Sequence, residues 1–193
     1  MPIVGEAELA LSQLPPKKLM AVTGTNGKTT VALLVEHVLN ASGVKTRALG
    51  NVGAALSAYV MEPGNEEALV VELSSFQLET IRTPVFDTAV LLNITPDHLD
   101  RYDSMEEYAK AKCHLQHLLK GNAPFFVQSQ VALAYRHLLR APNVQILGNE
   151  TIESLLPLDY RERGGHDCEN ALAAWALCQP FSIEKEQFCK ALA

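Results

Sequence analysis

Residues Met20-Ala21-Val22-Thr23-Gly24-Thr25-Asn26-Gly27-Lys28-Thr29-Thr30, MAVTGTNGKTT, decide the fold of this chain. They hold the end of a phosphate-binding loop, Gly27-Lys28-Thr29, but not its usual beginning. The common form reads G-x-x-x-x-G-K-[ST], which would put a glycine where the chain has Val22. The residues before the loop, Lys18 to Val22, form a short apolar run of buried-strand character. After it, Val31, Leu34, Val35, Val38 and Leu39 recur at helical spacing, and Gly43 follows as a C-cap. A loop between a strand and a helix is the setting a phosphate needs, because unpaired N–H groups at a helix N-terminus point at an anion. Gly24 and Gly27 let the backbone come close, Lys28 offers a point charge, and Thr29 offers a hydroxyl for Mg²⁺. A glycine-rich βα turn without a ligand has the same outline; Lys28-Thr29 in this context favours the phosphate reading.

Composition bounds the rest. The 193 residues suffice for one well-buried domain or a domain with a small appendage. A net charge of −6 gives no basic footprint for nucleic acid. No apolar run approaches a membrane span, and no charged-then-apolar leader opens the chain. Cys113, Cys168, Cys178 and Cys189 form no C-x-x-C pair, so reduced thiols of a cytoplasmic protein are expected, without a zinc site.

Along the chain, a short helix is expected at Glu6 to Leu11, and strands at Lys45 to Leu49, Ala68 to Leu73, Asp87 to Asn93, Pro124 to Val127 and Val144 to Leu147. Ala54 to Met61 reads as a helix. Ser104-x-x-Glu107 opens another that runs to about Lys120, with Gly121 closing it. Further helices are expected at Val131 to Arg140, Cys168 to Cys178 and from near Ser182. Strands alternate with helices, so the fold class is α/β with a mostly parallel sheet, whose ligands bind beyond the carboxyl ends of the strands.

Three polar groups fall there. Glu72 ends the strand ALVVE, where a Mg²⁺ ligand or a plain strand-end charge would sit. NITPDHLDRY, Asn93 to Tyr102, places His98 between two carboxylates, which can orient the imidazole toward a metal or phosphate. Asn51 stands in a glycine-flanked turn. His114 and His117, three apart, have no further ligand pattern and read as solvated or packing residues.

Together, TGTNGKTT, GNVG, ELSSFQLE and NITPDHLDRY resemble the Mur ligases, the ATP-dependent amide-forming enzymes of bacterial peptidoglycan synthesis, and within them the D-glutamate-adding branch. The family's loop lacks the distant first glycine, which accounts for Val22. The resemblance implies that Gly24, Thr25, Asn26, Gly27, Lys28, Thr29 and Thr30 hold the ATP phosphates, with Lys28 on the terminal ones. It implies Mg²⁺ at Thr29 and Glu72, a second Mg²⁺ served by His98, and Asn51, Ser74 and Gln77 facing the substrate. Lys112, in YAKAK, matches a lysine that the family carbamylates to make a metal ligand; from the residues alone it is an ordinary helix-face lysine. GGHDCENALAA resembles a segment near the adenine, with Asn170 matching and Asp167 where the family has Asn. An ionised Asp only accepts hydrogen bonds.

The implied substrates are UDP-N-acetylmuramoyl-L-alanine and D-glutamate, with ATP and Mg²⁺ as cofactors. The implied organisation is a lead-in, residues 1–16, from an N-terminal UDP-binding domain, then the ATP-binding central domain, 17–193, with the C-terminal amino-acid-binding domain absent. Two rivals are a folylpolyglutamate-synthetase-like ligase, disfavoured by Thr29-Thr30 and SSFQLE, and a nucleotide-binding module without catalysis. A GTP-binding switch would need N-K-x-D, which does not occur.

Overall fold

The computed structural model describes residues 4–148 and 155–192. Residues 1–3 of the expected lead-in, and residue 193, lie outside the described residues. Six strands, β1 (Lys18–Thr23), β2 (Thr46–Gly50), β3 (Ala68–Glu72), β4 (Thr88–Leu91), β5 (Phe125–Gln128) and β6 (Val144–Leu147), form one sheet in the order β2-β3-β1-β4-β5-β6. Every neighbouring pair is parallel. The expected α/β class with a parallel sheet is what the structure has.

The apolar runs are continuous because both faces are covered. Alternate residues turn to opposite faces. Met20, Val22, Val70, Val90 and Phe126 join one core with α2 (Lys28–Ala41) and a helix at Gly165–Cys178. Leu19, Ala21, Leu69, Val71, Ala89, Leu91, Phe125 and Val127 join the other, with α1 (Glu6–Gln13) and α3 (Leu56–Met61). Further α-helices among the described residues are α4 (Ser75–Leu78), α5 (Met105–Cys113), α6 (Ser129–Ala134), α7 (Leu158–Arg161), α8 (the Gly165–Cys178 helix) and α9 (Lys185–Leu192). No helix among the described residues is long and apolar enough to cross a membrane.

Two expected helices are shorter than their patterns. The one opened by Ser104 stays α-helical only to Cys113 and tightens to a 3-10 turn at His114–Leu118. There the Leu118 carbonyl accepts from the Val85 and Phe86 amides, at 2.8 and 3.0 Å, which takes the chain out of the helix. The helix expected over Val131 to Arg140 divides into α6 and a 3-10 turn at Arg136–Leu138. Gln116 is the cause. Its Nε2 donates to Leu138 O at 2.9 Å, and its Oε1 accepts from Arg140 N and Ala141 N at 2.7 and 2.9 Å. Those bonds hold the backbone in a turn that a continued helix would forbid.

The strand order changes direction at β1: β3 lies on one side, β4 on the other. A crevice opens at such a switch point, beyond the carboxyl ends of the strands. Leu172 of α8 is fully buried in the core that carries α2, the helix behind this crevice. Leu172→Ala should cost about 2–5 kcal/mol of stability, read as a lower urea midpoint with an unchanged slope.

Candidate active site

The loop after β1 is shaped by its neighbours. Gly27 precedes α2 with φ +83°, and a Cβ there would lie 2.5 Å from Asn170 Oδ1. A Cβ on Gly24 would lie 2.9 Å from that of Leu92. Both positions therefore require glycine, one for conformation and one for room.

Asn93, just past β4, holds the loop. Its Oδ1 accepts from Thr25 N at 3.1 Å and Asn26 N at 2.8 Å, and its Nδ2 donates to Asn26 O at 3.0 Å. The Asn93 carbonyl accepts from Thr25 N as well, at 2.9 Å. The amides of Thr25 and Asn26 are thus spoken for. The first amides of α2 have no partner within the helix, so the cradle for an anion narrows to Gly27 through Thr30. Lys28 folds back, its Nζ donating to Thr25 O at 2.8 Å.

Glu72 ends β3 beside this cradle with only 1% of its surface exposed. Its partners are neutral: Thr29 Oγ1 donates to Oε2 at 2.8 Å, and Asn51 Nδ2 to Oε1 at 3.4 Å. A buried carboxylate with a hydroxyl and an amide but no cation is costly by itself. The same oxygen set suits a hard divalent cation, so these residues fit Mg²⁺. No group of three or more His, Cys, Asp and Glu converges among the described residues, and phosphate oxygens and water would complete the shell.

Lys112 is buried, with 2% exposure. Its Nζ donates to Gly24 O at 2.7 Å and lies 4.6 Å from the centre of the Tyr108 ring. Burial, and next the charge of Lys28, push its pKa down to about 7. Tyr108, four residues earlier on the same helical face, also has its hydroxyl 3.2 Å from Thr25 Oγ1.

His98 adopts a left-handed backbone at φ +53° and is 42% exposed at its side chain. It leans on Phe76, centroids 4.8 Å apart, and meets Asp97 at 3.5 Å. Its ring is edge-on to Tyr108 at 6.2 Å. Tyr108 therefore stands between His98 and Lys112, while Thr29 and Glu72 pair with each other. Ser74 and Gln77 form a reciprocal capping box on α4, with Gln77 Oε1 2.9 Å from Ser74 N. That S-x-x-Q signal lay in the sequence and identifies a local role for both.

On the other side of the loop, a recess of about 250 Å³ is bordered by Asn26, Gly27, Asn93, Gln130, His166 and Asn170. Asp167 is exposed on the first turn of α8 and does not line it. Asn93 and Tyr108 are the positioning residues that sequence reasoning missed. The available signal for Asn93 was an amide placed directly after an apolar strand.

Residues 22–148 match the family described as Mur ligase middle domain, and the chain belongs to the Mur ligase family. Its sequence is 42% identical over 207 residues to the UDP-N-acetylmuramoylalanine--D-glutamate ligase of Protochlamydia amoebophila, covering 98% of this chain and 46% of that protein. The chain thus spans less than half the length of the curated relatives it matches. In fold it is similar to the MurF ligase of Thermotoga maritima solved with ADP, with a TM-score of 0.72, 18% identity, and coverage of 95% of this chain and 51% of that one. It is also similar to a folylpolyglutamate synthase of Thermotoga maritima, with a TM-score of 0.65, 12% identity, and coverage of 95% and 60%.

The Lys112 environment has a stability consequence. The folded state holds this pKa near 7, below the ordinary 10.5, so between those values the unfolded chain binds more protons. Stability from this group rises with pH across that window. Denaturant titrations of the wild type and Lys112→Met should show the difference shifting toward the wild type between pH 7 and pH 9; a pH-independent difference would contradict the burial.

Proposed function

We propose that residues 17–193 are the ATP-binding domain of a ligase that joins D-glutamate to UDP-N-acetylmuramoyl-L-alanine, releasing ADP and phosphate. One observation carries this reading: the Gly27–Thr30 cradle opens α2 directly beside the buried Glu72, whose carboxylate accepts from the exposed Thr29 hydroxyl. A phosphate seat and a hard-cation seat are adjacent, at the switch point of a parallel sheet. The 42% identity to a D-glutamate-adding relative supports the choice of amino acid.

In this reading the amides of Gly27 to Thr30 receive the phosphates, and Lys28 swings from Thr25 O onto the terminal ones. Gly24, Thr25 and Asn26 shape the loop. Thr29 and Glu72 hold one Mg²⁺, which supplies charge neutralisation for phosphoryl transfer. The substrate carboxylate takes the γ-phosphoryl to give an acyl phosphate; the D-glutamate amine displaces phosphate. The chain's work is alignment and electrostatic stabilisation. Asn51, Ser74 and Gln77 are assigned to the substrate side, and Asn170, with Asp167 on the same helix, to the adenine side.

His98 and Lys112 are assigned to a second cation. A lysine with its pKa near 7 is substantially neutral at physiological pH. Its neutral amine can add CO₂, releasing one proton and leaving a carbamate, which converts an ammonium into an oxygen ligand. The phosphate cradle alone would also serve a folylpolyglutamate-synthetase-like ligase; Thr29-Thr30 and SSFQLE favour the D-glutamate-adding reading.

In the full-length ligase, Lys28→Ala should abolish ligation while leaving the melting temperature close to wild type, since the side chain leaves no cavity. Glu72→Gln should raise the Mg²⁺ concentration needed for half-maximal activity. A Lys28→Ala enzyme with near-normal turnover, or an unchanged Mg²⁺ midpoint in Glu72→Gln, would sink the assignment.

A further inference from the structure

A second polar recess, of about 220 Å³, lies between the end of α5 and the turn after α6, away from the phosphate cradle. Lys110, His114 and His117 border it from one side and Arg140 from the other. The three on the helical stretch are spaced at i, i+4 and i+7, which stacks them on one face. The His114 and His117 rings are 5.6 Å apart. No carboxylate among the described residues forms an ion pair with any of the four. Glu106, one turn before Lys110, is engaged by His137 at 2.8 Å. Lys110 and Arg140 carry the positive charge here, on a chain of net charge −6, while burial and the neighbouring His114 hold the His117 pKa below its ordinary value.

The recess is also built. Gln116, nearly buried, ties down the Leu138–Ala141 backbone with three hydrogen bonds and so fixes the turn that carries Arg140 opposite the histidines. His114 Nε2 is 2.9 Å from Ile81 O, which anchors that ring. Cys113, at the base, is buried with its thiol pushed up to about 12, so it offers no thiolate for metal or nucleophilic chemistry. Lys110 and Arg140, on facing sides of the recess, are the two charges an anion would neutralise.

We propose that this recess is an anion site for a phosphate group, separate from the nucleotide cradle, with Arg140 as its fork and Lys110 and His117 as flanking donors. Free phosphate and a small phosphate monoester present the same chemistry. Arg presents a planar fork to phosphate oxygens, whereas Lys acts as a point charge.

The test is a ¹H–¹⁵N NMR titration of the 193-residue chain at low ionic strength, with inorganic phosphate and glycerol 3-phosphate in parallel. Saturable shifts are expected at the Arg140 and Ala141 amides and at the His117 ring. Arg140→Ala and Lys110→Ala, both at exposed positions, should retain the wild-type spectrum elsewhere. Arg140→Ala should weaken binding by roughly tenfold or more. Whichever anion binds more tightly identifies the source. Shifts confined to Gly27–Thr30, non-saturating shifts at Arg140, or unchanged affinity in Arg140→Ala would each overturn the proposal.

Discussion

The carboxamide of Asn93 is the contact on which the site depends. Three hydrogen bonds from one side chain join the loop after β1 to the chain after β4. Each such bond contributes about 1 kcal/mol net, which is small beside the core. Its consequence is positional. By occupying the amides of Thr25 and Asn26, Asn93 leaves the helix-opening amides as the place where an anion can be received. It also keeps the loop at the level of Glu72, one strand away across β1.

The two lysines of the site act on the same loop from opposite requirements. Lys28 and Lys112 donate to Thr25 O and Gly24 O, so loop carbonyls that would face a low-dielectric interior are satisfied. Lys28 is only partly buried and can exchange its carbonyl for a better acceptor. Lys112 is enclosed, and the cost of enclosing an ammonium appears as its lowered pKa. The charge on Lys28 adds to that shift, which couples the two groups. One fold thus keeps a partly exposed cation and a buried amine of lowered pKa on the same loop after β1.

Much of this was legible in the sequence, for identifiable reasons. Buried parallel strands read as apolar runs, so ALVVE and MAV announced β3 and β1. The strand–loop–helix setting of GTNGKTT matched what the structure has at β1 and α2, and Glu72 stood out as a charge ending an apolar strand. What was not legible depends on partners distant in sequence. The 3-10 turns at His114 and Arg136 follow from bonds to Val85, Phe86 and Gln116 that no local pattern contains. YAKAK gives no sign that Lys112 is buried while Lys110 is exposed; α5 docking on the loop decides it. Asn93 belongs to NITPDHLDRY, but in that motif the titratable His98 carries the stronger local signal of chemistry, whereas the role of an amide depends on which backbone it meets.

Residue-resolved amide hydrogen exchange of the 193-residue chain, with and without Mg²⁺·ATP, tests the central claim most directly. If the Asn93 clamp sets the cradle, Thr25 and Asn26 are protected without nucleotide, whereas Gly27 to Thr30 exchange freely and slow only when nucleotide is added. Free exchange at Thr25 and Asn26 in the nucleotide-free chain, slowing together with Gly27 to Thr30 on addition of ATP, would contradict the account.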